Sequence, residues 1–302
     1  MERYKKCILL EKDFEMKTIE FRNLKRKRMK KNIFMLLILS IFMLFVGKSY
    51  SQDSKLRNKL NNFSICSKTI TEVKYDKIVV NNLEDIYKKR DGLYVFSNVN
   101  IDLRSLPVEK RKDVFIRLLL PSIQVVQHEI LNNREIVKKL KAKKELNETE
   151  KKYATMIFNK YKIPYGNWDE LQSKMIIYPT SLILSQGAIE SAWGTSRFFR
   201  EGNNAFGIWS ANPNEPRIPA KGSRGYFVPH LRRYNSLKDT VEDITLVISR
   251  SPAYSNARKM IWEGKSSYEI AGGLLQYSEE GYNYIKKIRN TLNHNNFEKY
   301  DV

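Results

Sequence analysis

The stretch Pro179–Trp209 reads PTSLILSQGAIESAWGTSRFFREGNNAFGIW, and it sets Glu190 into an otherwise apolar helical pattern. Pro179 suits the first turn of a helix. Ile183, Gln186, Gly187, Glu190 and Trp193 then recur at three- and four-residue spacing, which predicts one stripe along a helix that Gly194 ends. A carboxyl on such a stripe is unusual for a plain core, because carboxylates are seldom buried without a partner. Beside an aromatic wall, desolvation raises the pKa of Glu190 and keeps it protonated near neutral pH. An acid of that kind suits protonation of a poor leaving oxygen, which cleavage of a glycosidic bond requires. The structural alternative is a glutamate bonded to backbone at a helix end, since perturbed carboxyls are often structural.

Outward from this stretch, helical periodicity starts at Ser105. Ser105 and Pro107 mark a helix start. Val114, Phe115, Leu118 and Leu119 share a face until Pro121, which is expected to interrupt the helix. A second long helix is expected to follow, with Ile123, Val126, Ile130, Ile136, Val137 and Leu140 inward. Asn147 with Glu150, Ser236 with Asp239, and Ser266 with Glu269 have capping-box spacing ahead of further helices. From Gly207 to Tyr234, prolines and glycines punctuate short runs and predict turns with a small β-hairpin. The expected fold is α+β, mainly helical, with the hairpin lobe inserted between the Glu190 helix and the later helices. Residues 52–104 read as a linker or irregular N-terminal region, with one short strand near Lys77–Val80. Residues 105–302 make the principal domain.

The 302 residues carry 54 Lys and Arg against 33 Asp and Glu, a net charge of +21. Residues 1–51 hold part of that excess, and without them 41 basic side chains face 28 acidic ones, or +13. The remainder points to anionic envelope polymers as a partner, or to a solvated lysine-rich surface. Nucleic acid is set aside, because no recognition motif accompanies the charge. Lys25 to Lys31 form a basic head, Ile33–Val46 an apolar middle, and Ser49–Ser51 a small-x-small exit. That order describes a secretory signal peptide, too short in its apolar part to span comfortably. It implies export to the periplasm or cell envelope, with membrane contact only through an uncleaved signal. Met29 opens a conventional signal by itself, so residues 1–28 read as an upstream extension. The two cysteines, Cys7 and Cys66, and three scattered histidines give no disulfide framework, metal site or cofactor motif.

The ordered motifs change the weight of the glycosidic reading. Ser185–Gly194 (SQGAIESAWG) is followed by Glu201–Ile208 (EGNNAFGI), Leu231–Leu237 (LRRYNSL), Pro252–Tyr254 (PAY) and Leu275–Tyr284 (LQYSEEGYNY). Across roughly residues 105–300 this set resembles the bacterial glucosaminidases of glycoside hydrolase family 73, in their Bax-like branch. The resemblance implies a lysozyme-like fold, cleavage of the β-1,4 bond after N-acetylglucosamine in peptidoglycan glycan strands, and Glu190 as general acid. It also implies that Tyr277 and Tyr284 border the cleft, where a phenol can bond the acid or the acetamido group. Many relatives place a second carboxylate in the hairpin lobe, and Glu215 is the candidate within it here. Glu242 and Asp243, on the next helix, read as solvated or capping groups, with water positioning as the alternative. Gln186, Trp193, Asn204, Phe206 and Trp209 are the expected substrate-binding residues. Structural alternatives stand beside some of them: Trp193 and Trp209 as core aromatics, and Asn204, with Asn203, as turn residues shaping the cleft floor. Two rival functions stay open, a muramidase or lytic transglycosylase and a non-catalytic wall-binding or scaffold protein.

Overall fold

The computed structural model describes residues 70–221 and 228–301. The stretch read as a signal peptide, Met29 and both cysteines lie outside the described residues.

The molecule is organised around helix α2, Val108–Lys141, which follows strand β1 (Asp76–Val80), the single-turn helix α1 (Glu84–Tyr87) and strand β2 (Tyr94–Val99). α2 runs unbroken through Pro121, where the sequence leads one to expect two helices. An internal proline costs about 3 kcal/mol. Phe115, Leu118, Leu119, Ile123 and Val125, all fully buried around it, outweigh that cost, since each buried apolar side chain contributes about 1.5–3 kcal/mol.

The region expected to be irregular also departs from expectation from Ile70 onward. β1, near the anticipated strand, pairs in parallel with β2, with a register shift between Ile78 and Val79. Parallel neighbours need a long crossover, and residues 81–93 supply it. Val80 and Phe96, both fully buried, join the main core.

Helix α3 (Glu148–Tyr161) opens on the expected capping box. Asn147 Oδ1 accepts from the Glu150 amide at 2.9 Å, and Glu150 accepts from the Asn147 amide at 3.2 Å. α4 (Trp168–Lys174) leads to α5 (Thr180–Ser191), whose residues from Thr180 to Ala188 are all buried. A helix apolar on every side belongs in an interior. Asp301, at the far end of the chain, accepts from the Ser181 amide at 2.8 Å and its hydroxyl at 2.6 Å, placing a negative charge at the N-terminus of α5.

α6 (Arg197–Gly202) precedes the expected hairpin, in which β3 (Arg217–Pro219) pairs antiparallel with β4 (His230–Arg232). α7 (Leu237–Arg250) starts where Ser236 Oγ accepts from the Asp239 amide and packs along α2. α8 (Ser255–Trp262), α9 (Ser267–Ile270, with its capping box) and α10 (Tyr282–His294) complete the body. The fold is mainly helical with a small strand component, as the sequence indicates.

Candidate active site

α5 brings its stripe to the site and then stops. Ile183, Gln186, Gly187 and Glu190 lie on the helix, but Trp193 lies beyond it, because the helix ends at Ser191 instead of continuing to Gly194. The Trp193 amide bonds the Ala188 carbonyl at 3.0 Å and the Ala192 amide the Ile189 carbonyl at 3.4 Å, the paired bonds of a Schellman end. Ala192, Trp193 and Gly194 all take left-handed backbone, with φ of 49°, 58° and 77°. Ser191 Oγ fastens this reversal, donating to the Gly187 carbonyl at 2.6 Å and accepting from the Gly194 amide at 2.8 Å. The Trp193 ring consequently packs edge-on against Phe115 at 5.7 Å and near Phe297 at 6.1 Å, with the Lys112 ammonium over its face.

Glu190 sits on the last turn of α5 and is half-buried. Gly187, one turn earlier, lets the helix close on its neighbours: a Cβ there would stand 3.2 Å from Leu119, and 3.3 Å from both Phe115 and Phe206. Over the acid lies the turn Asn204–Ile208. Gly207 has φ of +63°, so a residue with a side chain would be strained there, and its Cβ would stand in van der Waals contact with Glu190 Oε2 at 3.6 Å.

That turn is stapled by Asn204. Its Nδ2 donates to the carbonyls of Ile208 at 3.0 Å and Arg232 at 2.9 Å, and its Oδ1 accepts from the Ile208 amide at 3.0 Å. These bonds engage both ends of the side-chain amide, so Asn204 shapes the site from beneath. Asn203 does likewise through the carbonyls of Ser97 and Tyr234. Phe206 is 2% exposed and offers its carbonyl to the Tyr277 hydroxyl at 3.3 Å. Trp209, 36% exposed and bridged by its backbone to Leu231, keeps an accessible ring.

Two polar atoms near the acid lack partners. Gln186 Oε1 accepts from the Tyr178 hydroxyl at 2.6 Å, but its Nε2 is buried and unbonded. The Tyr284 hydroxyl is buried close enough to Glu190 and Gln186 to act on both, yet it is aligned for a hydrogen bond with neither. Such groups cost about 1–3 kcal/mol when unsatisfied, and both lie in the interior behind the carboxyl.

Burial pushes the Glu190 carboxyl above the ordinary carboxylate value. The Tyr284 hydroxyl opposes this, Glu280 adds to it and Lys287 opposes it. Burial first, and then the neighbouring Glu190, hold the Tyr277 phenol far above its usual value. Tyr284 is raised as well, by burial, Tyr277 and Glu190. The arrangement therefore offers a carboxyl that favours its proton beside two phenols that stay neutral. Glu280 and Lys287, paired at 2.6 Å, escaped the sequence reading. The one signal for them was their nearness in sequence to Tyr284.

The other acidic residues of interest are committed elsewhere. The Glu215 side chain is 3% exposed and lies 3.3 Å from Arg232 Nε. Asp243 accepts from Arg232 at 2.5 Å and from the Tyr234 hydroxyl at 2.7 Å. Glu242 pairs with Lys160 at 2.6 Å and Lys238 at 3.1 Å. Glu242 and Asp243 are thus buried ion-pair partners and not the solvated or capping groups their helix suggested. Among the described residues no group of His, Cys, Asp or Glu is placed to hold a metal ion.

Residues 166–297 match the family model described as mannosyl-glycoprotein endo-beta-N-acetylglucosaminidase, a span that includes Glu190, Gly207, Tyr277 and Tyr284. Protein bax of Escherichia coli (strain K12) is 28% identical over 197 residues, 63% of this chain and 70% of that protein. The crystal structure of the catalytic domain of the autolysin Auto from Listeria monocytogenes is 20% identical, with a TM-score of 0.35 over 57% of this chain and 97% of that domain.

Proposed function

We propose that this chain, whose residues 166–297 form a Bax-like glucosaminidase domain, hydrolyses the β-1,4 bond after N-acetylglucosamine in peptidoglycan, with Glu190 as general acid. One observation carries the reading. Glu190 is half-buried, not sealed in the core, and its carboxyl is desolvated enough to favour its proton. It delivers that proton to the leaving glycosidic oxygen as the bond breaks, and water completes the hydrolysis. Gln186, expected to bind substrate, is fully buried, and with the buried Tyr284 hydroxyl it belongs in this reading to the support behind Glu190; the Tyr277 phenol borders the same corner. Trp209 offers a ring for stacking. Glu215 belongs in this reading to the ion pair with Arg232.

Digestion of purified peptidoglycan followed by analysis of the new chain ends tests the proposal. Reducing N-acetylglucosamine is expected, and anhydro-muramic ends would instead mark a lytic transglycosylase. In a zymogram, wild type should clear and Glu190→Gln should not. Absence of clearing in both lanes would favour a wall-binding protein without turnover.

The proposal places the enzyme in the periplasm or cell envelope, on the strength of the basic and apolar N-terminal pattern. N-terminal sequencing of exported protein is expected to begin after Ser51. The residual positive charge is proposed to hold it near anionic envelope polymers, so wall association should weaken with added salt.

A further inference from the structure

The turn that covers the acid is anchored by charge buried beneath it. Asn204 ties both ends of the turn to the Arg232 carbonyl, and the Arg232 amide in turn donates to the Ile208 carbonyl at 2.9 Å. The Arg232 guanidinium, 4% exposed, reaches Asp243 at 2.5 Å on α7 and Glu215 at 3.3 Å. The Tyr234 hydroxyl closes on the same Asp243 oxygen. From the opposite side the Tyr277 hydroxyl holds the Phe206 carbonyl. Bonds thus run from Asp243 through Arg232 to Asn204 and Ile208, the two ends of the turn; between them Gly207 faces the carboxyl, where an added Cβ would lie 3.6 Å from Glu190 Oε2.

A buried ion pair adds little net stability, because removing both charges from water offsets their attraction. It does demand a single geometry. Apolar side chains would fill the space between β4 and α7 at least as stably, without fixing the turn to so narrow a position. We propose that Asp243 and Arg232 are positioning residues for the acid: their ion pair clamps the 204–208 turn onto Glu190 and keeps its carboxyl out of water. The inference rests on Glu190 being the general acid. It adds a cause for the acid's environment that neither α5 nor α10 supplies.

The groups facing Glu190 from its surroundings are few. α5 itself and the turn bring no charge. Tyr277, Glu280, Tyr284 and Lys287 face it from α10 and the segment before it. Of these, Tyr277 bonds the Phe206 carbonyl of the turn and feels the Asp243 charge, whereas Glu280, Tyr284 and Lys287 make no described bond to Asp243 or Arg232.

The test uses the full chain with Asp243→Asn and, separately, Arg232→Lys. Asp243→Asn leaves Arg232 balanced by Glu215, and Arg232→Lys keeps the charge but loses the two-sided fork. Glu190 is titrated by carbon NMR of 13C-glutamate-labelled protein, with Glu190→Gln identifying its resonance, and thermal melting confirms folding. In each folded variant the Glu190 midpoint is expected to move to lower pH. On purified peptidoglycan kcat should drop about a hundredfold with KM little changed, as for a misplaced catalytic group. An unmoved Glu190 midpoint in either folded variant overturns the proposal, whatever the activity. Should wild type fail to cleave peptidoglycan, the functional reading falls, while the titration still decides whether the clamp exists.

Discussion

Tyr277 and Tyr284 stack nearly parallel, with ring centroids 5.3 Å apart and planes inclined by 12°. The stack ties the segment before α10 to α10 itself and holds the Tyr284 hydroxyl toward Glu190. Ring and hydroxyl can therefore be separated by substitution.

Tyr284→Phe keeps the stack and removes a buried hydroxyl that lies close to Glu190 and Gln186 but is poorly aligned with both. Stability should hold or rise by about 1 kcal/mol, while turnover falls about a hundredfold, as for loss of one preorganised donor. Because that hydroxyl lowers the Glu190 pKa, the alkaline limb of the pH–rate profile should move to higher pH. Melting curves and a pH series of initial rates check all three.

Glu190→Gln bears on stability as well as rate. The folded chain holds the Glu190 proton more tightly than the unfolded chain, so stability falls as pH rises from the unfolded value through the raised folded one. The deficit is complete above that window and absent below it. Glutamine removes it, and the variant should melt higher than wild type at neutral pH. Below about pH 4, where the unfolded chain is protonated too, the difference should vanish. A variant that melts lower at neutral pH contradicts the burial account.

Glu280→Gln and Lys287→Met should shift the activity profile in opposite directions. Neutralising Glu280 lowers the Glu190 pKa and moves the alkaline limb down; removing Lys287 moves it up. Both side chains are about half exposed, at 46% and 53%. Their effects should shrink in 1 M salt, where charges are screened within about 3 Å.

Gly187→Ala pushes a methyl into Phe115, Leu119 and Phe206. Overpacking of this sort costs about 1–3 kcal/mol, and the same shift disturbs the acid one turn later. Phe115→Leu in the same chain should recover part of the loss in both melting temperature and activity. No recovery would mean that the close approach is not limiting.

The features legible in the sequence are those written locally. The caps at Asn147, Ser236 and Ser266, the stripe from Ile183 to Glu190 and the hairpin after Gly207 depend on residues within a few positions of one another, and all appear as read. Pro121 misled because a local rule yielded to burial on both sides. The β1–β2 pair was hidden because parallel partners lie a crossover apart, and nothing in either strand names the other. Trp193 left its stripe because left-handed backbone at Ala192 and Trp193 has no glycine to announce it. Glu215 read as the candidate second carboxylate of the lobe and Glu242 and Asp243 as solvated or capping groups, and only tertiary packing assigns Arg232, Lys160 and Lys238 to them.

Because α5 halts one residue beyond Glu190, the acid lies within reach of the negative pole of its own helix. Aligned peptide dipoles leave roughly −0.5 of an elementary charge at a C-terminal end, felt mainly within the final turn. The backbone thereby opposes ionisation before any side chain does. One added turn between Glu190 and the Ala192–Gly194 reversal would carry that pole about 5 Å away. The length of α5 is thus a setting for how readily the chain gives up this proton.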